Sequence, residues 1–288
     1  MIKNALWISS YPKSGNTWIH SVIREAGRKY GFPGSDLDVY NLISKNLSPC
    51  ECPAVSRSVI GSPCAVLKTH SPFYGGNLHK ELDLDASAFV HIVRNPLDVL
   101  LSYINFSRIQ YAKNIGKTGW ARLFFIELLG FKDTVDFEKW KSVTLDDIPR
   151  DNLDHALRYF SESNGFLPTL KIGGAWFDHG KSWMKAGEVM PSVHLRYEDC
   201  VSDSCSFNSV LKLFEFEESD LHAAIDVVQK RTQQLKLNEG SDSKRNVFFN
   251  KMSAYYYLDY FSPAAVSEFI SRHIDELSYL GYSDLPQK

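Results

Sequence analysis

The chain offers little that would place it in a membrane. Its first residues, MIKNALWISSYP, hold only a few consecutive apolar side chains, far short of the roughly 20 that cross a bilayer, and lack a signal-peptide cleavage pattern. A soluble, cytoplasmic protein without a membrane span is expected. Charge of either sign is also scarce in the net: 32 basic and 34 acidic residues leave a formal charge of -2. No global field therefore recommends nucleic acid or an anionic membrane as partner, and any anion site must be local. Cysteine is sparse and odd in number, with Cys50, Cys52, Cys64, Cys200 and Cys205 showing no paired framework of the secreted kind. Cys50-Glu51-Cys52 could begin a zinc site, but no two further ligands stand at suitable spacing, so reduced thiols and no metal are expected. No linker, repeat or low-complexity tract divides the chain. With 44% hydrophobic residues over 288 positions it is read as one domain with a substantial core.

The sequence also lacks the common nucleotide loop GxxxxGK[ST], in which lysine follows the second glycine. What stands in its place is WISSYPKSGNTW at residues 7–18, where Lys13 precedes Gly15 and Thr17 follows Asn16. An apolar strand over 5–10 leads into this turn, and a helix from Gly15 to about Lys29 carries Trp18, Val22 and Ile23 on one stripe. Strand, loop and helix together present backbone donors and a positive helix end to a phosphate, with Lys13 adding charge and Thr17 a hydroxyl.

Further strands fit residues 65–68, 88–93 and 191–196, and helices fit about 97–110, 151–163, 174–187 and 263–277. The alternation predicts an α/β fold: a P-loop-like parallel β-sheet flanked by helices. Ligands of such sheets bind beyond the carboxyl ends of the strands. Those ends hold Tyr11 to Thr17, Lys68 to His70, Arg94 to Asp98, and Tyr197 to Asp199. The stretch over about 108–190 is dense in aromatic residues and reads as a helical insertion or lid over one edge of the sheet. Residues of about 236–257 are polar, turn-rich and basic, the pattern of a mobile loop.

Arg94 at a strand end and Ser102 on the following helix form a second candidate anion site, since a guanidinium fork and a hydroxyl can both hold a phosphate. Two anion sites on neighbouring strands imply a ligand with phosphates at two positions. Here the chain resembles the sulfotransferases that use 3′-phosphoadenosine 5′-phosphosulfate (PAPS). YPKSGNTW is similar to their 5′-phosphosulfate loop and RNPLDVLLS to their 3′-phosphate motif, with LKTH at 67–70 and LRYED at 195–199 in the same order.

The resemblance implies a role for each matched position. Lys13, Ser14, Gly15, Asn16 and Thr17 would hold the 5′-phosphosulfate, Trp18 would stack on the adenine and Tyr197 would border it. Arg94 and Ser102 would bind the 3′-phosphate. His70 would take the proton of an acceptor hydroxyl, Lys13 would stabilise the departing 5′-phosphate oxygen, and Lys68 would support the sulfuryl oxygens; no metal is required. PAP would be the product. His91, inside a strand, is read as structural. The family's glycine-rich RKGxxGxW stretch is altered here to NKMSAYYY: Lys251 remains, but Asn250 replaces the arginine, and Met252 and Tyr255 replace the glycines.

The expected acceptor is a small hydroxylated molecule with an apolar or aromatic part, facing Phe106, Tyr111, Trp120, Phe124 and Phe125. Two rival readings are a small-molecule kinase using ATP and magnesium, and an inert nucleotide-binding protein. The order of the loop disfavours the first and a positioned His70 the second. Acceptor identity and oligomeric state, a homo-oligomer included, are left open by the sequence.

Overall fold

A computed structural model describes residues 4–30, 54–55, 64–73, 85–113, 118–135, 140, 143–168, 173–214, 216–238 and 254–287. By their contacts, residues fall into two compact units, Met1–Arg94 with His179–Leu235, and Asn95–Asp178 with Lys236–Lys288.

The first unit is built on a sheet of β1 (Asn4–Ser10), β2 (Ala54–Val55), β3 (Cys64–Thr69), β4 (Asp85–Val93) and β5 (Ser192–Arg196), ordered β2-β3-β1-β4-β5. The strands β3, β1, β4 and β5 run parallel, as expected. The short β2, which sequence reasoning missed, pairs antiparallel with β3. Leu6, Trp7, Ile8, Phe89 and Val90 are at most 1% exposed; a central parallel strand is covered on both faces and reads as a continuous apolar run.

Register decides where the site lies. Ser9 pairs with Thr69 on one side and His91 on the other, and Val93 pairs with Arg196. The residues that follow each strand, Tyr11, His70, Arg94 and Tyr197, are thereby delivered to the same edge of the sheet. Because β1 lies between β3 and β4, the chain switches direction across the sheet at β1, the position where α/β sheets open a ligand crevice. Helix α1 (Asn16–Ala26) begins directly after the loop that leaves β1.

The second unit is mainly helical. Helix α2 (Pro96–Lys113) starts with proline, whose missing N–H costs nothing in a first turn. Leu97, Val99, Leu100, Leu101, Tyr103 and Ile104 are all fully buried, so this helix is apolar around most of its circumference, as a core helix must be. Helix α3 (Arg150–Glu162) is followed in chain order by α4 (Trp176–Ala186), which runs on into the first unit. Then come α5 (Tyr197–Ser202) and α6 (Glu218–Asn238), and finally α7 (Pro263–Arg272) and α8 (Ile274–Tyr279). The rings of Phe160 and Phe177 stack on Phe269, and Ser161 hydrogen-bonds His273 at 2.8 Å.

Phe124 and Phe125, expected on an acceptor face, are instead core. Both are at most 1% exposed and meet Trp140 edge-on at 5.5 and 5.0 Å. They sit on a π-helical stretch, Arg122–Leu128, with their rings edge-on to each other at 5.2 Å. Phe106 is half-buried, while the side chains of Tyr111 and Trp120 lie outside the described set. Most of the loop expected over about 236–257, Lys251 included, also lies outside the described residues. Among the described residues, no helix is long and apolar enough to cross a membrane, and no group of His, Cys, Asp and Glu could hold a metal ion.

Candidate functional site

The loop after β1 is shaped by two residues in the left-handed region, Lys13 at φ 72° and Gly15 at φ 87°. Such a conformation costs a side-chain-bearing residue about 1–2 kcal/mol, so Lys13 is held there by its surroundings: its carbonyl accepts a hydrogen bond from Arg94 Nη1 at 3.2 Å. Gly15 has a second reason to be glycine. A Cβ on it would overlap the Tyr197 ring, so the backbone can approach that ring only without a side chain. Tyr197 in turn lies beneath the Arg94 guanidinium, 4.4 Å from it, a cation–π contact that fixes the plane of the fork. Loop, β4 exit and β5 exit are thus locked together by Gly15, Arg94 and Tyr197.

The buried polar atoms of this region are left open. Ser9 Oγ, Ser14 Oγ, Asn16 Oδ1 and Trp18 Nε1 are buried without a hydrogen-bond partner, and native interiors rarely leave such groups unmatched except where a ligand or water completes them. Ser14 and Asn16 belong to the predicted phosphate loop. Trp18 is only 4% exposed and packs edge-on against Tyr197 and Phe207. Thr17 is half-buried at the start of α1.

Positive charge converges on the same place. The pKa of Lys13 is brought down to about 7, chiefly by burial and then by the charges of Arg94 and Lys68. Three cationic side chains that repel one another in this way favour a nearby negative charge such as a phosphate or sulfate group. The donor set is of the kind that can receive a phosphate or sulfate group.

His70 stands at the exit of β3, half-buried, with Nδ1 2.8 Å from the Ser10 carbonyl oxygen. A carbonyl can only accept, so the neutral ring carries its proton on Nδ1 and its lone pair on Nε2, the arrangement a base requires. Ser10 also links His70 to the loop, because Asn16 Nδ2 donates to Ser10 Oγ at 2.8 Å. The chain beyond His70 is tied to α4, where Trp183 Nε1 donates to the Ser71 carbonyl at 3.0 Å and Ser182 Oγ accepts from the Phe73 amide at 2.9 Å.

Sequence reasoning missed these supports. Their one visible signal was His179 and Trp183, four residues apart on a single helix face. His179 is 1% exposed and meets Tyr11 edge-on at 5.6 Å. Its pKa falls to about 3, through burial first and the neighbouring His70 second. His91, 1% exposed, has its Nδ1 3.4 Å from that of His194, and burial holds it well below the ordinary range. Burial thus disfavours a charge on either ring.

Lys68 is half-buried on β3, one residue before Thr69 closes the strand. Ser102 is half-buried on α2 in the second unit.

A parallel sheet with an anion loop at its switch point, opening a helix, defines an α/β protein of the phosphate-loop class. A family model described as "Sulfotransferase domain" matches residues 3–280, and the chain belongs to that family. The curated amine sulfotransferase of Oryctolagus cuniculus is 24% identical over 220 residues, 75% of this chain. The match spans 56% of that relative's length. Among solved structures, mouse sulfotransferase SULT7A1 complexed with PAP aligns with a TM-score of 0.55 at 16% identity, over 96% of this chain and 84% of that one. A retinol dehydratase in complex with androsterone and inactive cofactor PAP aligns with a TM-score of 0.53 at 15% identity, over 96% and 81% of the two chains. At such identities the likeness establishes the fold.

Proposed function

We propose that this protein transfers the sulfuryl group of PAPS to a hydroxyl of a small-molecule acceptor, releasing PAP. The observation that carries the reading is the convergence of Lys13, Lys68 and Arg94 on a loop with unmatched buried polar atoms, beside a histidine held with its lone pair on Nε2. Lys13, Ser14, Gly15, Asn16 and Thr17 receive the 5′ end of the nucleotide. Trp18 and Tyr197 border the adenine, and Arg94, Ser102 and Lys251 serve the 3′-phosphate.

In the reaction the acceptor oxygen forms a bond to sulfur as the bond from sulfur to the 5′-phosphate oxygen breaks. His70 Nε2 takes the hydroxyl proton. Lys13 stabilises the negative charge that grows on the departing phosphate oxygen, and Lys68 the sulfuryl oxygens. Such stabilisation acts only as the bond breaks, so it accelerates the step rather than merely tightening binding. Fixed cations supply it without magnesium. The acceptor is read as carrying an apolar or aromatic part, and the protein as a cytoplasmic, single-domain enzyme with its insertion over about 108–190.

The test is a screen of hydroxylated compounds with sulfur-labelled PAPS in the presence of a metal chelator. Label should move to an apolar or aromatic alcohol or phenol. Transfer of phosphate from ATP that requires magnesium, with no sulfuryl transfer to any acceptor, would overturn the reading in favour of a kinase.

A further inference from the structure

One carboxylate holds together two stretches of the second unit that lie far apart in sequence. Asp98, in the first turn of α2, is fully buried. Its neighbour Asn95 caps it reciprocally: Asn95 Oδ1 accepts from the Asp98 amide at 2.8 Å, and Asn95 Nδ2 donates to Asp98 Oδ2 at 2.9 Å. Three further bonds come from the returning chain. The Tyr255 amide donates to Asp98 Oδ2 at 2.9 Å, the Tyr257 amide to Oδ1 at 2.9 Å, and the Tyr256 hydroxyl to the Asp98 carbonyl at 3.0 Å.

The Tyr255 backbone gives this arrangement its meaning. It adopts φ 59° and ψ 29°, a left-handed conformation that a bulky residue rarely takes and that glycine takes freely. Tyr255 is one of the positions where the resemblance calls for glycine. The glycine-like turn has therefore survived the loss of its glycine, and its amide is held by Asp98.

We propose that Asp98 is a positioning residue for recognition of the 3′-phosphate: it sets where the chain re-enters at residues 255–257 against the first turn of the helix that carries Ser102, one turn further on. This rests on the nucleotide reading given above. A carboxylate is required because it offers two accepting oxygens to three N–H donors; asparagine would offer one oxygen and turn an amide N–H₂ toward a donor. Loss of the acceptor should loosen the returning segment and weaken contacts to the 3′-phosphate, while leaving the loop of Lys13 intact.

The experiment is calorimetric titration of the parent, Asp98→Asn and Tyr256→Phe with PAP and with adenosine 5′-phosphate, which lacks the 3′ group. In Asp98→Asn the affinity for PAP should fall at least tenfold, and that for adenosine 5′-phosphate less than twofold. Tyr256→Phe removes a single bond and should lower PAP affinity two- to fivefold while leaving that for adenosine 5′-phosphate unchanged; it decides alone if Asp98→Asn does not fold. A purely structural role would lower thermal stability without changing the ratio of the two affinities. A parent that prefers PAP and variants that prefer it equally would overturn the positioning role alone. A parent that binds both nucleotides equally would overturn the nucleotide reading, and the positioning role with it.

Discussion

Around the loop after β1, the buried oxygens of Ser9, Ser14 and Asn16 have no protein partner; around Asp98, both carboxylate oxygens and the backbone carbonyl accept donors from the protein itself. Both regions are buried and polar, so the cost of dehydration was incurred in both. The first leaves its groups to be completed by something else, whereas the second completes its own. Buried polar groups without partners are expensive, and a fold keeps them where binding repays the expense. On the nucleotide reading, the contrast predicts different outcomes for damage in the two places.

The largest expected effect is on turnover. His70→Ala should lower kcat by about a hundredfold to ten-thousandfold while PAP affinity stays near that of the parent, since Nδ1 is engaged with Ser10 and the proposed role of Nε2 is toward the acceptor. A loss of PAP affinity as large as the loss of turnover would make His70 a structural residue and blur the contrast.

Glycines sharpen it. Gly15→Ala meets the Tyr197 ring at positive φ, and Gly130→Ala, at φ +66°, would set its Cβ 2.8 Å from the His155 ring. Both should lower Tm, by about 2–4 °C for each kcal/mol lost, with Gly15→Ala losing more because the Tyr197 ring is pinned by Arg94. Only Gly15→Ala should also weaken PAP, by at least tenfold. Equal effects on binding from the two variants would show that the open polar groups are not where the nucleotide sits.

A smaller effect follows from the proton on Lys13. Burial and the charges of Arg94 and Lys68 put its pKa at about 7, so below that pH the ammonium is present and above it is increasingly lost. An anion favours the charged form and raises the pKa in the complex. PAP affinity should therefore be level below pH 7 and fall above it, by no more than about tenfold per unit, with net proton uptake on binding at pH 8. Titrations in buffers of different ionisation enthalpy measure that uptake, and Lys13→Met should abolish it.

How far the sequence reached depended on what kind of signal each feature leaves. The four parallel strands were legible because apolar runs ended at recognisable turns. The residues following them were legible because Lys13, Gly15, Arg94 and His70 are chemically distinct types at strand ends. Tyr197 beneath Arg94, and the His70 bond to Ser10, were not legible: both are juxtapositions set by register between strands remote in sequence. Phe124 and Phe125 were misread as an acceptor face because aromatic density does not say which way a ring points. The Asp98 anchorage was hidden for the same reason. An aspartate in a first helical turn looks like a local cap, and its partners stand far along the chain.

The central claim is that the open polar groups and the clustered cations of the first unit form the nucleotide site. Calorimetric titration of PAP into the parent, Lys13→Ala and Arg94→Ala at pH 7 tests it most directly. The account predicts saturable binding of one PAP by the parent and at least a tenfold loss in each variant, with charge-assisted hydrogen bonds removed in both. A parent that does not bind PAP, or variants that bind it as the parent does, would contradict it.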